Sequence, residues 1–295
     1  MDTGREGDLF ILGSAFLWGI FPVVTTLSFL SLAPLSALAW TEVFAAIFFA
    51  VTVTRKKAWR EVVSGSALGD ILLATFILGV LFYICTFIGL KYTTPGNVSL
   101  IELTEIFFAF VLFNLWHKEE ISGAHILGCL CMVLGAAIVL YPNFAEFHAG
   151  DLLIVVAAAI APFGNYFSRR ARTKVTSETI MFVRSIVAAG AVFCVARLWG
   201  EHPFAVTGTR TIVILALNGV FLFGLSKIFW LEGIHRISVT RANALSASAP
   251  LVTLLTAYVL LGTPPSSFQL LSFVPMFLGA VLLGKTPTTG DTIAA

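Results

Sequence analysis

The chain has 295 residues, of which 58% are apolar and only 12% charged, and its mean hydropathy is +0.95. A soluble domain is about one-quarter charged, so an ordinary soluble fold is excluded. A net charge of +2 is too small to point to a nucleic-acid partner.

A membrane-spanning helix needs about 20 apolar residues, and the sequence supplies ten such runs, at roughly 9–30, 34–54, 68–90, 95–116, 121–141, 151–168, 177–199, 210–235, 239–261 and 266–284. The polar start Met1–Asp8 is acidic rather than basic, and the first run is longer than the apolar stretch of a secretory signal, so it reads as the first span. Short breaks with turn chemistry separate the runs: Ala33-Pro34, Thr94-Pro95-Gly96, Tyr141-Pro142-Asn143 and Gly262-Thr263-Pro264-Pro265. Continuous runs of this length exclude a transmembrane barrel, whose strands alternate over about ten residues. Cys85, Cys129, Cys131 and Cys194 all lie inside apolar runs and read as small packing residues.

Placing the N-terminus inside puts thirteen Lys and Arg residues on one face, among them Arg55, Lys56, Lys57, Arg60, Arg169, Arg170, Arg172 and Lys174, against Lys91, Arg197 and Arg210 on the other. The positive-inside rule then predicts both termini in the cytoplasm and an integral protein of the cell (inner) membrane.

The two halves resemble each other. Gly7-Asp8-Leu9 opens the first run and Gly150-Asp151-Leu152 the sixth, 143 residues later, and the same offset sets Ala45-Ala46 on Ala188-Ala189. An offset of 144 sets Leu134-Gly135-Ala136 on Leu278-Gly279-Ala280 and Gly89 on Gly233. The expected fold is therefore an all-α membrane protein of ten transmembrane helices, arranged as a 5+5 inverted-topology repeat: 1–145 and 146–295. Five is odd, so the second half runs opposite to the first. Inverted repeats are typical of secondary transporters, with the substrate bound between them.

Ionisable side chains deep in a span cost about 2.5–3.5 kcal/mol each on insertion scales and are functional candidates by default. Here they are Glu42, Glu102, Glu105, Arg184, Lys227 and, nearer a helix end, Glu232. Glu102 and Glu105, at i and i+3, share a helix face. Two neighbouring carboxylates in low dielectric do not both ionise, so the pair is suited to a proton or a cation; the alternative is a structural salt bridge to Lys227 or Arg184. A buried Lys227 needs a partner, and together with the two acids it would offer both signs, as a zwitterion such as an amino acid requires. Glu42 and Arg184 occupy near-equivalent repeat positions with opposite charge and are read as a structural pair. Pro22 and Pro162 are expected to break the first and sixth helices at similar depth, which is the usual pointer to a transporter site. Trp18, Tyr83, Tyr166 and Trp230 would wall that site, with Asn165 beside them. Asn97 and Asn243 read as caps or gate residues. Gly128, Gly135 and Gly279 read as packing positions, within one chain or between two, so a monomer and a homodimer both fit.

Several stretches resemble the drug/metabolite transporter superfamily of EamA type. They are Phe16-Leu17-Trp18-Gly19-Ile20-Phe21-Pro22, then Leu90 to Asn97, Leu115 to Glu120 and Gly128 to Gly135, and in the second copy Gly233-Ile234-His235-Arg236-Ile237-Ser238, Ala242-Asn243-Ala244, Pro250 and Leu260-Leu261-Gly262. The resemblance covers essentially the whole chain. It implies a ten-helix inverted repeat, a cavity lined by the fourth and eighth helices, and export or exchange of small metabolites. Two features depart from the family's pattern: Thr263-Pro264 stand where the first copy has Glu120, and Thr41-Glu42 replace an arginine whose counterpart, Arg184, is kept.

The expected function is a secondary transporter, an exporter or exchanger of small molecules such as amino acids, working by alternating access with proton coupling through Glu102 or Glu105. Its partners would be the substrate, protons and membrane lipids, with no cofactor and no metal. A flippase for lipids or lipid-linked sugars is the alternative. A membrane enzyme is disfavoured by the lack of a metal-site or nucleophile motif.

Overall fold

The computed structural model describes residues 3–117, 123–144, 148–206, 208–234, 236–237, 242 and 245–284. Among these there is no strand. The long helices are α1 (Thr3–Ser28), α2 (Pro34–Arg55), α3 (Leu68–Lys91), α4 in two pieces (Pro95–Glu102 and Thr104–His117), α5 (Gly123–Leu140), α6 (Ala149–Arg172), α7 (Ser177–Leu198), α8 (Thr209–Ile234), α9 (Ala249–Leu261) and α10 (Ser267–Gly284). Eight of them, α1 to α8, are long and apolar enough to cross a membrane, and α9 and α10 are shorter apolar helices. Part of the expected ninth span, 239–241 with Asn243 and Ala244, lies outside the described residues.

Local chemistry sets the helix ends. Pro34 and Pro95 stand in the first turns of α2 and α4, where a missing N–H costs nothing. Thr94 caps α4 by accepting from Asn97 N at 3.2 Å. Gly262 closes α9 in the left-handed region, at φ 68°.

The packing has a regular pattern. α1 lies against α8 and α9, and α6 lies against α3 and α4; α2 packs on α7 and α8, and α7 on α2 and α3; α5 pairs with α10, and α4 with α9. Each contact maps onto another when the first five helices are exchanged with the last five. The backbone repeats the relation. Thr75–Phe82 in α3 and Asn218–Leu225 in α8 are both wound as π-helix, 143 residues apart.

The α5–α10 pair uses the predicted small residues within the chain. A Cβ on Gly279 would lie 2.6 Å from Met132 Cγ and 2.9 Å from Gly128 O, so only glycine permits this approach. The outward faces of the pair expose Leu127, Leu130, Leu134, Leu271, Val274 and Leu278. Water would not tolerate such a surface, and lipid does. The inner core is aromatic: Phe223 stacks on Tyr83 at 4.4 Å and tilts against Phe21 at 5.5 Å, joining α8, α3 and α1.

Polar latches close both ends. Beside the α2–α3 connection, one Glu61 oxygen accepts from Thr176 N (2.7 Å), Thr176 Oγ1 (2.7 Å) and Thr179 Oγ1 (3.0 Å), at the start of α7. At the opposite end, Glu201, just past α7, accepts from Leu35 N (3.2 Å), Ser36 N (2.7 Å) and Ser36 Oγ (2.6 Å), at the start of α2. Each helix of the antiparallel pair is thus capped by an acid that follows its partner. On the Glu61 side Lys56 pairs with Glu178 at 2.6 Å, and Asp70 pairs with Arg170 (2.9 Å) and Lys174 (3.1 Å).

Candidate functional site

The ionisable residues of the apolar runs converge on the interior of the bundle. Glu42 (α2) and Arg184 (α7) are 1% and 6% exposed. Neither carboxylate oxygen of Glu42 makes a hydrogen bond, nor does Arg184 Nε. Arg184 is nonetheless the strongest charge acting on Glu42, with Lys227 behind it. The expected pair is therefore coupled through space rather than hydrogen-bonded at the carboxylate. The Arg184 guanidinium lies 5.9 Å from the ring of Tyr83, itself 2% exposed, on α3.

Glu102 and Glu105 act on each other across the break in α4. Glu105 Oε1 accepts from Asn165 Nδ2 of α6 at 2.7 Å, whereas Glu102 Oε1 is buried without a hydrogen bond. Lys227 of α8 places its ammonium 3.8 Å from the centre of the Trp18 indole, a close cation–π contact. Glu105, Glu102 and Glu42 all attract it. Among the described residues it makes neither an ion pair nor a hydrogen bond. Lys227 is held in place by its neighbours on the helix. Ser14 Oγ of α1 donates to Ser226 O at 2.9 Å, and Ser226 Oγ donates back to Leu222 O.

Trp18, Tyr83, Glu102, Glu105 and Lys227 are thus brought to one region, with Glu42 and Arg184 alongside and the exposed Asn165 bonded to Glu105 at its edge. Tyr166 makes an edge-to-face contact with Phe167, and Trp230 is half-buried one turn past Lys227. Glu232 pairs with Arg236 at 2.6 Å, near the end of α8.

The two prolines do not break their helices: α1 runs through Pro22 and α6 through Pro162. The discontinuities fall within α4 and immediately before α9 instead. In α4, Leu103 N bonds Leu100 O and Ile106 N bonds Leu103 O, each at 3.1 Å, which is the tighter three-residue spacing. At the start of α9, Ser248 N bonds Leu245 O and Leu251 N bonds Ser248 O in the same way. Pro250 was a readable signal for the second break, since it has no N–H to offer Ser246 O. The first break has no Gly or Pro. Its local cause is Thr104, whose hydroxyl donates back to Ile101 O at 2.6 Å. Ser246, the repeat counterpart of Glu102, carries a buried hydroxyl without a partner. α1 presses on this second break: Thr253 Oγ1 donates to Gly19 O at 2.7 Å, and a Cβ on Gly19 would lie 2.6 Å from Ala249 O.

Asn97 is more than a cap. Its amide donates to both oxygens of Asp151 (3.3 and 3.1 Å) and accepts from Gln269 Nε2 at 2.7 Å, and Thr93 Oγ1 also donates to Asp151. One residue thereby ties α4 to α6 and α10. Asn243 lies outside the described residues.

Apolar helices of spanning length with charged side chains turned inward define an integral membrane protein. The model of the EamA-like transporter family matches residues 5–141 and 148–285, and the chain belongs to that family of membrane transporters, which are not enzymes. It is 23% identical over 263 residues to Uncharacterized transporter YyaM of Bacillus subtilis, covering 84% of each chain. It is 23% identical over 207 residues to an uncharacterized transporter of Synechocystis sp., where the match spans 66% of this chain and 59% of the relative. Pseudopaline exporter CntI of Pseudomonas aeruginosa is 22% identical over 174 residues, 58% of this chain and 61% of that one. A solved crystal structure shares the fold, with a TM-score of 0.67 at 18% identity over 94% of this chain and 96% of that one.

Proposed function

We propose that the protein is a secondary transporter of two five-helix repeats, 1–145 and 146–295, inverted with respect to each other. It spans the inner membrane ten times with both termini in the cytoplasm, and exports or exchanges a small zwitterionic metabolite such as an amino acid by alternating access. The observation that carries this reading is the convergence of Glu102, Glu105 and Trp18 on Lys227. Carboxylates together with the cations Lys227 and Arg184 offer partners for both ends of a zwitterion. The exchange-symmetric packing of the helices, the π-segments 143 residues apart and the two family matches support the inverted repeat.

Glu105 is the residue we assign to proton coupling. It is hydrogen-bonded to Asn165, a contact that survives protonation, and its neighbour Glu102 has an oxygen free to share the proton. If one proton accompanies each cargo molecule, one pH unit is worth about 1.4 kcal/mol and sustains a roughly tenfold gradient of a cargo whose own net charge is zero. In proteoliposomes Glu105→Gln retains the Asn165 contact and is expected to abolish this response while leaving counterflow intact. Accumulation by Glu105→Gln at the wild-type pH dependence would refute the assignment.

A further inference from the structure

Lys227 sits where a cargo cation would be expected to sit. Its ammonium is on the face of Trp18, 3.8 Å from the ring centre, where it is repelled by Arg184 and attracted by Glu105, Glu102 and Glu42. A lysine whose role is to neutralise those acids would pair with one of them. Among the described residues this one makes no ion pair and no hydrogen bond. The acids around it keep acceptor capacity. Among the described residues, both oxygens of Glu42, 1% exposed, and Oε1 of Glu102 are buried without a close hydrogen bond. The region therefore holds an aromatic face and spare carboxylate acceptors, the two elements that recognise an alkylammonium group. Its present occupant is tethered by a flexible four-carbon stem and can be displaced without moving a helix.

We propose that the Trp18 face, with Glu102 and Glu105, is a recognition site for the ammonium group of the cargo, and that Lys227 is a tethered competitor for the same seat. A cargo ammonium takes the place on the indole, and Lys227 turns away to meet the cargo's negative end. This rests on the transporter reading for its physiological meaning, but binding can be measured without transport.

The test uses the purified full-length protein in detergent, with n-butylammonium and butyrate as probes and binding read by titration calorimetry. Lys227→Gln removes the competitor and is expected to bind butylammonium at least tenfold more tightly than wild type, while butyrate binding weakens. Lys227→Arg, which keeps a cation on the ring, should not show the gain. Adding Trp18→Leu to Lys227→Gln should remove most of it. Equal or weaker butylammonium binding by Lys227→Gln, with the melting temperature of wild type, would overturn the proposal. So would a gain that survives Trp18→Leu. Failure of the transport reading would show differently, as absence of counterflow by wild-type protein whatever the binding results.

Discussion

The latch between Glu61 and the start of α7 can be tested by one substitution and one titration. Glu61→Gln preserves size and leaves an acceptor for the Thr176 and Thr179 donors at 2.7, 2.7 and 3.0 Å. It removes the negative charge. A carboxylate at a helix N-terminus contributes about 0.3–1 kcal/mol through the helix dipole. Hydrogen bonds to a charged acceptor exceed neutral ones by about 1 kcal/mol. The latch is partly exposed, so the sum is discounted to about 1–1.5 kcal/mol. That corresponds to a fall in melting temperature of about 2–6 °C. Burial acts against the Glu61 charge, but the hydrogen bonds from Thr176 and Thr179 and the nearby Arg172 outweigh it and hold the carboxyl below its usual value of 4.5. A folded-state pKa below the unfolded one stabilises the protein above the unfolded value, and that contribution disappears as pH falls through the folded one. Thermal melts in detergent, followed by intrinsic fluorescence from pH 7.5 down to pH 3.5, should therefore show the two proteins differing at neutral pH and converging in acid. Equal melting at pH 7.5, or a difference that persists unchanged in acid, would refute the argument. Glu201→Gln, at the opposite end of the same helix pair, should cost a similar amount.

Arg184→Met should destabilise by about 3 kcal/mol, because it leaves Glu42 buried without its principal opposite charge, and Glu42→Met in the same chain should recover most of that; melts of the single and double variants decide. Gly135→Ala would drive a Cβ into Met276 and should cost about 1–3 kcal/mol. Gly190→Ala meets nothing within 4 Å and should instead add about 0.8–1 kcal/mol of helix propensity. Reversal of that order in thermal melts would show that the α5–α10 approach is looser than its geometry.

The spans were legible because bilayer thickness sets the length of an apolar run. The expected 34–54 and 177–199 became Pro34–Arg55 and Ser177–Leu198. Much of the charged cluster was legible for a related reason: lipid penalises a charge, so Glu42, Glu102, Glu105, Arg184 and Lys227 had to turn inward. Trp230 and Tyr166 were harder to place from sequence, because an aromatic ring is welcome in lipid, in core and in a site alike. The helix breaks were misplaced because a proline in a packed membrane helix is accommodated by its neighbours. Leu103, where α4 does break, has nothing unusual in its own side chain.

Composition and the length of the apolar runs alone determined that this chain lives in a membrane, folds as helices and turns its charged side chains inward. Each of those properties follows from transfer free energies summed along the chain. Only the tertiary structure decided that Lys227 rests on Trp18 rather than on a carboxylate, that Asn165 reaches Glu105, and that Glu61 and Glu201 cap each other's helices. These contacts join residues that are distant in sequence, up to 209 apart for Trp18 and Lys227. Their distances depend on how helices cross and where they kink, which is set by packing among all the helices at once.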